Sequence, residues 1–195
     1  PSVLATLVSD ELDFPNLSMV GVDDRAAAYQ AVSYLIQQGH RKIAVLGGPA
    51  TSHPSMMRRQ GAQQAMEDAG IRFEDKLYGL SNYDFESAYH AMNGLLARRA
   101  EFTALFAMSD VIAFGAIRAL VSAGLRVPED VSVIGFDGIT MSRYCVPVMT
   151  TIVQPSEQIA LQSIELLVRQ IEHGTPAQTV TLQPELQQGE SVRAL

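Results

Sequence analysis

One stretch constrains the fold more than any other: Val127-Pro128-Glu129-Asp130-Val131-Ser132-Val133-Ile134-Gly135-Phe136-Asp137-Gly138. Pro128 sets φ for a turn, which Glu129 and Asp130 continue. Val131 to Phe136 is a short apolar run rich in β-branched residues, the pattern of a strand covered on both faces. Strands of that kind belong to parallel sheets, and a parallel strand needs a crossover, usually a helix, before its neighbour. The rest of the chain supplies the alternation. Strands are predicted at Ser2–Val8, Leu17–Val22, Ile43–Leu46, Leu77–Leu80, Thr103–Met108 and Thr179–Gln183. Helical patterns cover Arg25–Gln38, Met56–Ala69, Phe85–Arg99, the stretch from Ser109 or Asp110 to about Ala123, and one opening at Ser156. This alternation predicts an α/β fold with parallel sheets and right-handed crossovers. In such sheets ligands bind beyond the carboxyl ends of the strands. Asp137 stands there, as a loop cap or as a ligand group.

The helices carry their own punctuation. Gly39, Gly70 and Gly124 suit left-handed positions after helix ends. Ala28, Val32, Leu35 and Ile36 form one apolar stripe. Phe85, Tyr89, Met92, Leu95 and Leu96 form another and are read as core. The last helix has Ser156 as its cap, a stripe of Ile159, Ala160, Ile164, Leu167, Val168 and Ile171, and a stop at Gly174 and Pro176. Gly115 inside a helix costs roughly 1 kcal/mol relative to Ala, which close packing of that helix on the sheet offsets.

The 195 residues are enough for a sizeable core, and 47% are hydrophobic,. No run is long enough to span a bilayer. The net charge of −7 argues against this segment gripping nucleic acid, because phosphate contacts need clustered Lys and Arg,. A single cysteine, Cys145, allows no internal disulfide and fits a reducing, cytoplasmic setting. Gly47-Gly48-Pro49 is neither a dinucleotide fingerprint nor a P-loop. His53 has no second His or Cys at ligand spacing, so no metal and no cofactor is expected.

Four ordered motifs then carry a resemblance across nearly the whole chain. They are Gly39-His40-Arg41-Lys42-Ile43, Ser109-Asp110-Val111-Ile112-Ala113-Phe114-Gly115-Ala116, the Val127–Asp137 stretch, and Thr150-Thr151-Ile152-Val153-Gln154-Pro155. Together they resemble the effector-binding region of LacI/GalR-type transcriptional repressors. The resemblance implies a two-lobed, periplasmic-binding-protein-like fold of type I with one lobe only partly present. Residues 1–24 and 153–175 then form a partial N-terminal lobe, and 25–152 with 176–195 a C-terminal lobe. The helix-turn-helix that reads DNA is outside this chain, and a half-lobe with apolar strand faces in water predicts a longer native protein.

The family's effector contacts map onto Asp10, Arg58, Tyr83, Ser109, Asp137 and Gln154. Arginine suits the role because its planar fork holds two hydroxyls or a carboxylate through paired hydrogen bonds. An aromatic such as Tyr83 offers a face for the C–H surface of a sugar and a polar tip. The family usually has Asn where this chain has Ser109, and Asn or Asp where it has Gly138. The implied function is a ligand-responsive repressor. It takes a sugar-like effector in an interlobe cleft, forms a homodimer, binds operator DNA through the missing domain and makes no membrane contact. A transporter's periplasmic sugar-binding protein shares the fold and is the rival reading. Neither a Ser-His-acid order, a nucleophile elbow nor a metal cluster points to an enzyme.

Overall fold

The computed structural model describes residues 1–9, 14–99 and 101–195. The chain separates into two compact units, residues 1–23 with 154–185, and residues 24–153 with 186–195.

The smaller unit holds β1 (Ser2–Ala5), β2 (Leu17–Val22), α5 (Ser156–His173) and β8 (Thr179–Leu182). Its sheet order is β1-β2-β8, with both neighbouring pairs parallel. Here the expected division of the chain is corrected. Residues 176–185 do not join the larger unit, because Thr179–Leu182 pairs along β2 from Met19 to Val22. The pattern of a short apolar strand says nothing about which sheet recruits it. Helix α5 also departs from expectation. Pro155 stands at its N-cap, and the Ser156 hydroxyl donates to the Gln154 carbonyl. Ile159 and Leu166 are buried, whereas Ile164, Val168 and Ile171 of the predicted stripe are exposed, with Leu161 beside them. Gly174 closes the helix at φ +62°, as its C-terminal position requires,.

The larger unit is built on a six-stranded sheet. Its strands are β3 (Ile43–Gly47), β4 (Tyr78–Leu80), β5 (Ala104–Ala107), β6 (Ser132–Asp137), β7 (Thr150–Val153) and β9 (Glu185–Gln187). The order is β4-β3-β5-β6-β7-β9, and β3 to β7 run parallel. The final strand, β9, has no counterpart among the sequence-based expectations. Helices α1 (Asp24–Gln37), α2 (His53–Asp68), α3 (Phe85–Ala97) and α4 (Asp110–Ser122) make the crossovers. Right-handed connections put α2 on one face and α3 and α4 on the other. The helix pairs that touch, α1 with α2 and α3 with α4, agree with that arrangement. The core lies between: Leu46, Leu105, Phe106, Ile134 and Phe136 from the strands meet Leu35, Met66, Met92 and Leu120 from the helices.

Three local corrections follow from packing. Helix α2 begins at His53, three residues before the periodicity suggests, because Pro54 suits the first helical turn,. Phe85 is 48% exposed, since α3 buries the line Ala88, Met92 and Leu95 and Phe85 sits a turn ahead of it. Gly115 serves a helix contact: a Cβ there would stand 2.5 Å from the Phe85 carbonyl oxygen and 2.7 Å from Ala88 Cβ, so it admits α3, not the sheet.

Candidate functional site

The strand order reverses between β3 and β5, so the carboxyl ends of these two strands form the topological switch point of the larger unit,. The first turns of α2 lie over it. Ser55, buried in the first turn, donates from Oγ to the Gly48 carbonyl just after β3 (3.2 Å). Arg58, one turn on, donates from Nη1 to the carbonyl of Met108 just after β5. The loop after β3 and the loop after β5 are thus tied through one helix.

Arg58 is 5% exposed, which an arginine tolerates only with partners,. Its Nε donates to Asp24 Oδ1 at 2.7 Å, and Asp24 is 4% exposed. Its Nη1 lies 3.6 Å from Asp137 Oδ1. The guanidinium carbon sits 3.6 Å from the centroid of the Phe136 ring, so the cation stacks on an aromatic face,. Arg58 therefore meets two carboxylates, one carbonyl and one ring. Its neighbour Arg59 is employed elsewhere, over the Tyr78 ring at 4.5 Å and 3.6 Å from Asp75.

Asp137 ends β6 at φ +111°, a conformation that L residues rarely adopt, and Gly138 follows at φ +70°,. The turn is held from behind by Asp110, the first residue of α4. Asp110 is fully buried. It accepts from Thr151 Oγ1 of β7 (2.6 Å) and from the Ile139 backbone N–H (2.9 Å). A Cβ on Gly135 would stand 2.2 Å from Asp110 Oδ1, so only glycine lets the carboxylate reach the strand. Burial pushes the Asp110 carboxyl up to about 6; the Asp137 charge acts in the same direction, while the bonds from Thr151 and Ile139 oppose it,.

Ser109 caps α4, its Oγ accepting from the Ile112 N–H at 3.2 Å, so that oxygen is engaged in the helix,. Tyr83 follows β4 at φ +60°, on the same edge. Its ring lies against Gly48, where a Cβ would be 2.1 Å from Tyr83 Cε2. The buried Tyr83 hydroxyl has no hydrogen-bond partner in the structure. A buried polar group left so costs about 1–3 kcal/mol.

Of the six residues predicted from sequence, Arg58 and Asp137 come together as an ion pair. Tyr83 and Ser109 stand on the same strand edge, after β4 and β5. Gln154 belongs to the smaller unit, where its carbonyl accepts from Ser156. Asp10 lies outside the described residues. Sequence reading missed Asp24, Phe136 and the role of Asp110. An acid opening a helix after a strand was visible for Asp24, but nothing local pairs it with an arginine 34 positions away. No group of His, Cys, Asp and Glu among the described residues is placed to hold a metal ion. No helix among them is long and apolar enough to cross a membrane.

Residues 32–192 match the family described as periplasmic binding protein-like domain. The chain is 38% identical over 172 residues to the HTH-type transcriptional repressor CytR of Escherichia coli (strain K12), covering 88% of this chain and 50% of that protein. It is 35% identical over 181 residues to the HTH-type transcriptional repressor PurR of Histophilus somni (strain 129Pt), covering 92% and 54%. Among solved structures, a complex of the transcriptional regulator CelR with cellobiose superposes with a TM-score of 0.86 at 35% identity, over 89% of this chain and 54% of that one. The chain spans about half the length of the curated relatives it matches.

Proposed function

Because the chain belongs to the periplasmic binding protein-like domain family, among regulators of the LacI/GalR type, we propose that it is the effector-binding and dimerisation region of a ligand-responsive transcriptional repressor. The observation that carries the reading is the buried Arg58 with Asp137 and Phe136 at the switch point of the larger sheet. A guanidinium donates and a carboxylate accepts, so vicinal hydroxyls of a sugar or sugar derivative find matched partners there. The proposed effector residues are Asp10, Arg58, Tyr83, Ser109, Asp137 and Gln154. Ser109 contributes through position more than through its capped oxygen.

The relatives are regulators, which supports this reading over a transporter's binding protein. The same similarity supports a cytoplasmic protein that binds operator DNA through a domain outside this chain. Homodimer formation draws support from apolar side chains exposed on the larger unit, among them Tyr144 at 77% and Val146 at 93%. Effector binding then changes operator affinity by coupling of about 1–3 kcal/mol, or roughly 5–150-fold.

Calorimetry on the full-length protein tests the proposal. Candidate sugars and nucleosides are titrated with and without operator DNA. The expected outcome is a ligand whose affinity differs between the two states. Equal affinity in both removes the switch, and retention of that ligand by Tyr83→Ala removes the site.

A further inference from the structure

Asp24 Oδ1 stands 2.7 Å and Asp137 Oδ1 3.6 Å from guanidinium nitrogens of Arg58. The charge of Arg58 is therefore already opposed by two carboxylates. A third, Asp110, lies behind the turn and holds it through the Ile139 N–H. The other cation of the same helix, Arg59, is committed to Tyr78 and Asp75. Arg143, on the turn Thr140–Arg143, is exposed to solvent. Arg58 itself is only 5% exposed and donates to the Met108 carbonyl, so it is not poised to swing out toward an anion.

Resting on the reading of this edge as the effector site, we infer that the site selects an uncharged, hydroxyl-bearing effector and rejects its phosphorylated or carboxylated counterpart. The groups that remain attractive to a ligand are polar and neutral, or negative. The Tyr83 hydroxyl is buried without a partner. The Asp137 carboxylate, 27% exposed, accepts hydroxyl protons,. A phosphate placed against Arg58 approaches Asp137 as well, and like charges at such range repel strongly where water is partly excluded. A site for sugar phosphates needs guanidinium or ammonium charge in excess, whereas among the described residues two carboxylates face the one guanidinium of Arg58.

The experiment uses matched pairs: ribose and ribose 5-phosphate, glucose and glucose 6-phosphate, adenosine and adenosine monophosphate, with inorganic phosphate alone as a further probe. Each is titrated calorimetrically into the protein and into Asp137→Asn. In any pair that binds, the neutral member is expected to be at least about 100-fold tighter. Inorganic phosphate gives no saturable heat at millimolar concentration in the wild type. Asp137→Asn narrows the ratio at least about tenfold and makes phosphate binding measurable, because one repelling carboxylate is gone. A phosphorylated member that binds as tightly as its neutral partner overturns the inference. So does an Asp137→Asn protein whose phosphate affinity stays that of the wild type, whether or not a neutral ligand is found. A neutral ligand that prefers the wild type but ignores Tyr83→Ala leaves charge selection standing and removes the assignment of the site.

Discussion

Replacing Asp110 with Asn separates electrostatics from shape behind the Asp137 turn. Asp110 is fully buried and its carboxyl is pushed up to about 6, chiefly by desolvation. In an unfolded chain the same group titrates near 3.9. The folded state therefore holds the proton more tightly, and between about pH 4 and pH 6 it binds one that the unfolded state has released. Stability from this group is greatest at low pH and is lost as pH rises toward 6. At about 1.4 kcal/mol per pH unit, a rise of about two units amounts to roughly 3 kcal/mol over the whole window. About 2 kcal/mol of that falls between pH 4.5 and 7.5. Asparagine is isosteric and always neutral. With its amide turned so that oxygen accepts from the Ile139 N–H, its NH₂ donates to Thr151 Oγ1, the two partners Asp110 has now. Asp110→Asn is thus expected to gain on the wild type by about 2 kcal/mol from pH 4.5 to 7.5, and to keep a constant difference above that. Urea midpoints at a series of pH values measure it. The difference between the two proteins is the quantity to read. His40, whose burial lowers its pKa, titrates in the opposite sense in both, losing stability as pH falls through the histidine range,. Asp137 and Cys145 also sense Asp110, and both remain in the variant. Parallel pH curves refute the reasoning.

Four further outcomes follow from the same contacts. Asp24→Ala leaves Arg58 buried with its 2.7 Å partner gone and is expected to cost about 3–5 kcal/mol in denaturant unfolding,. Gly48→Ala places a Cβ 2.1 Å from the Tyr83 ring; the ring is displaced, with a loss of roughly 1–3 kcal/mol and of effector affinity,. Gly115→Ala gains about 1 kcal/mol in helix propensity, but its Cβ meets the Phe85 carbonyl oxygen at 2.5 Å, a backbone atom that cannot turn aside. A net destabilisation in thermal melts is expected. Ser109→Ala removes the cap of α4 and costs about 1 kcal/mol, and a larger loss of effector affinity than of stability marks a direct ligand contact,.

The alternation of apolar runs and helical periodicities determined the α/β class by itself, because a strand buried on both faces and a crossover helix both leave a local hydrophobic pattern. Strands β2, β3 and β6 appear within a residue of their predicted bounds, and Gly174 takes the left-handed conformation its place after α5 demands. The motifs named the family, and with it Arg58 and Asp137. Long-range choices were of a different kind. Thr179–Leu182 reads as a strand, but pairing with β2 in the smaller unit depends on which edge accepts it. Gly115 reads as a cost until α3 arrives against it. Asp24 reads as a helix-opening acid until folding brings it 2.7 Å from Arg58. The Ser191 hydroxyl, in a tail without any recognisable motif, donates to the Val133 carbonyl and accepts from the Thr150 N–H, tying the C-terminus to two strands. Periodicity records which way a side chain faces relative to its own backbone; which partner it faces is decided only when distant segments close together, and the charge balance of the site is a property of those partners.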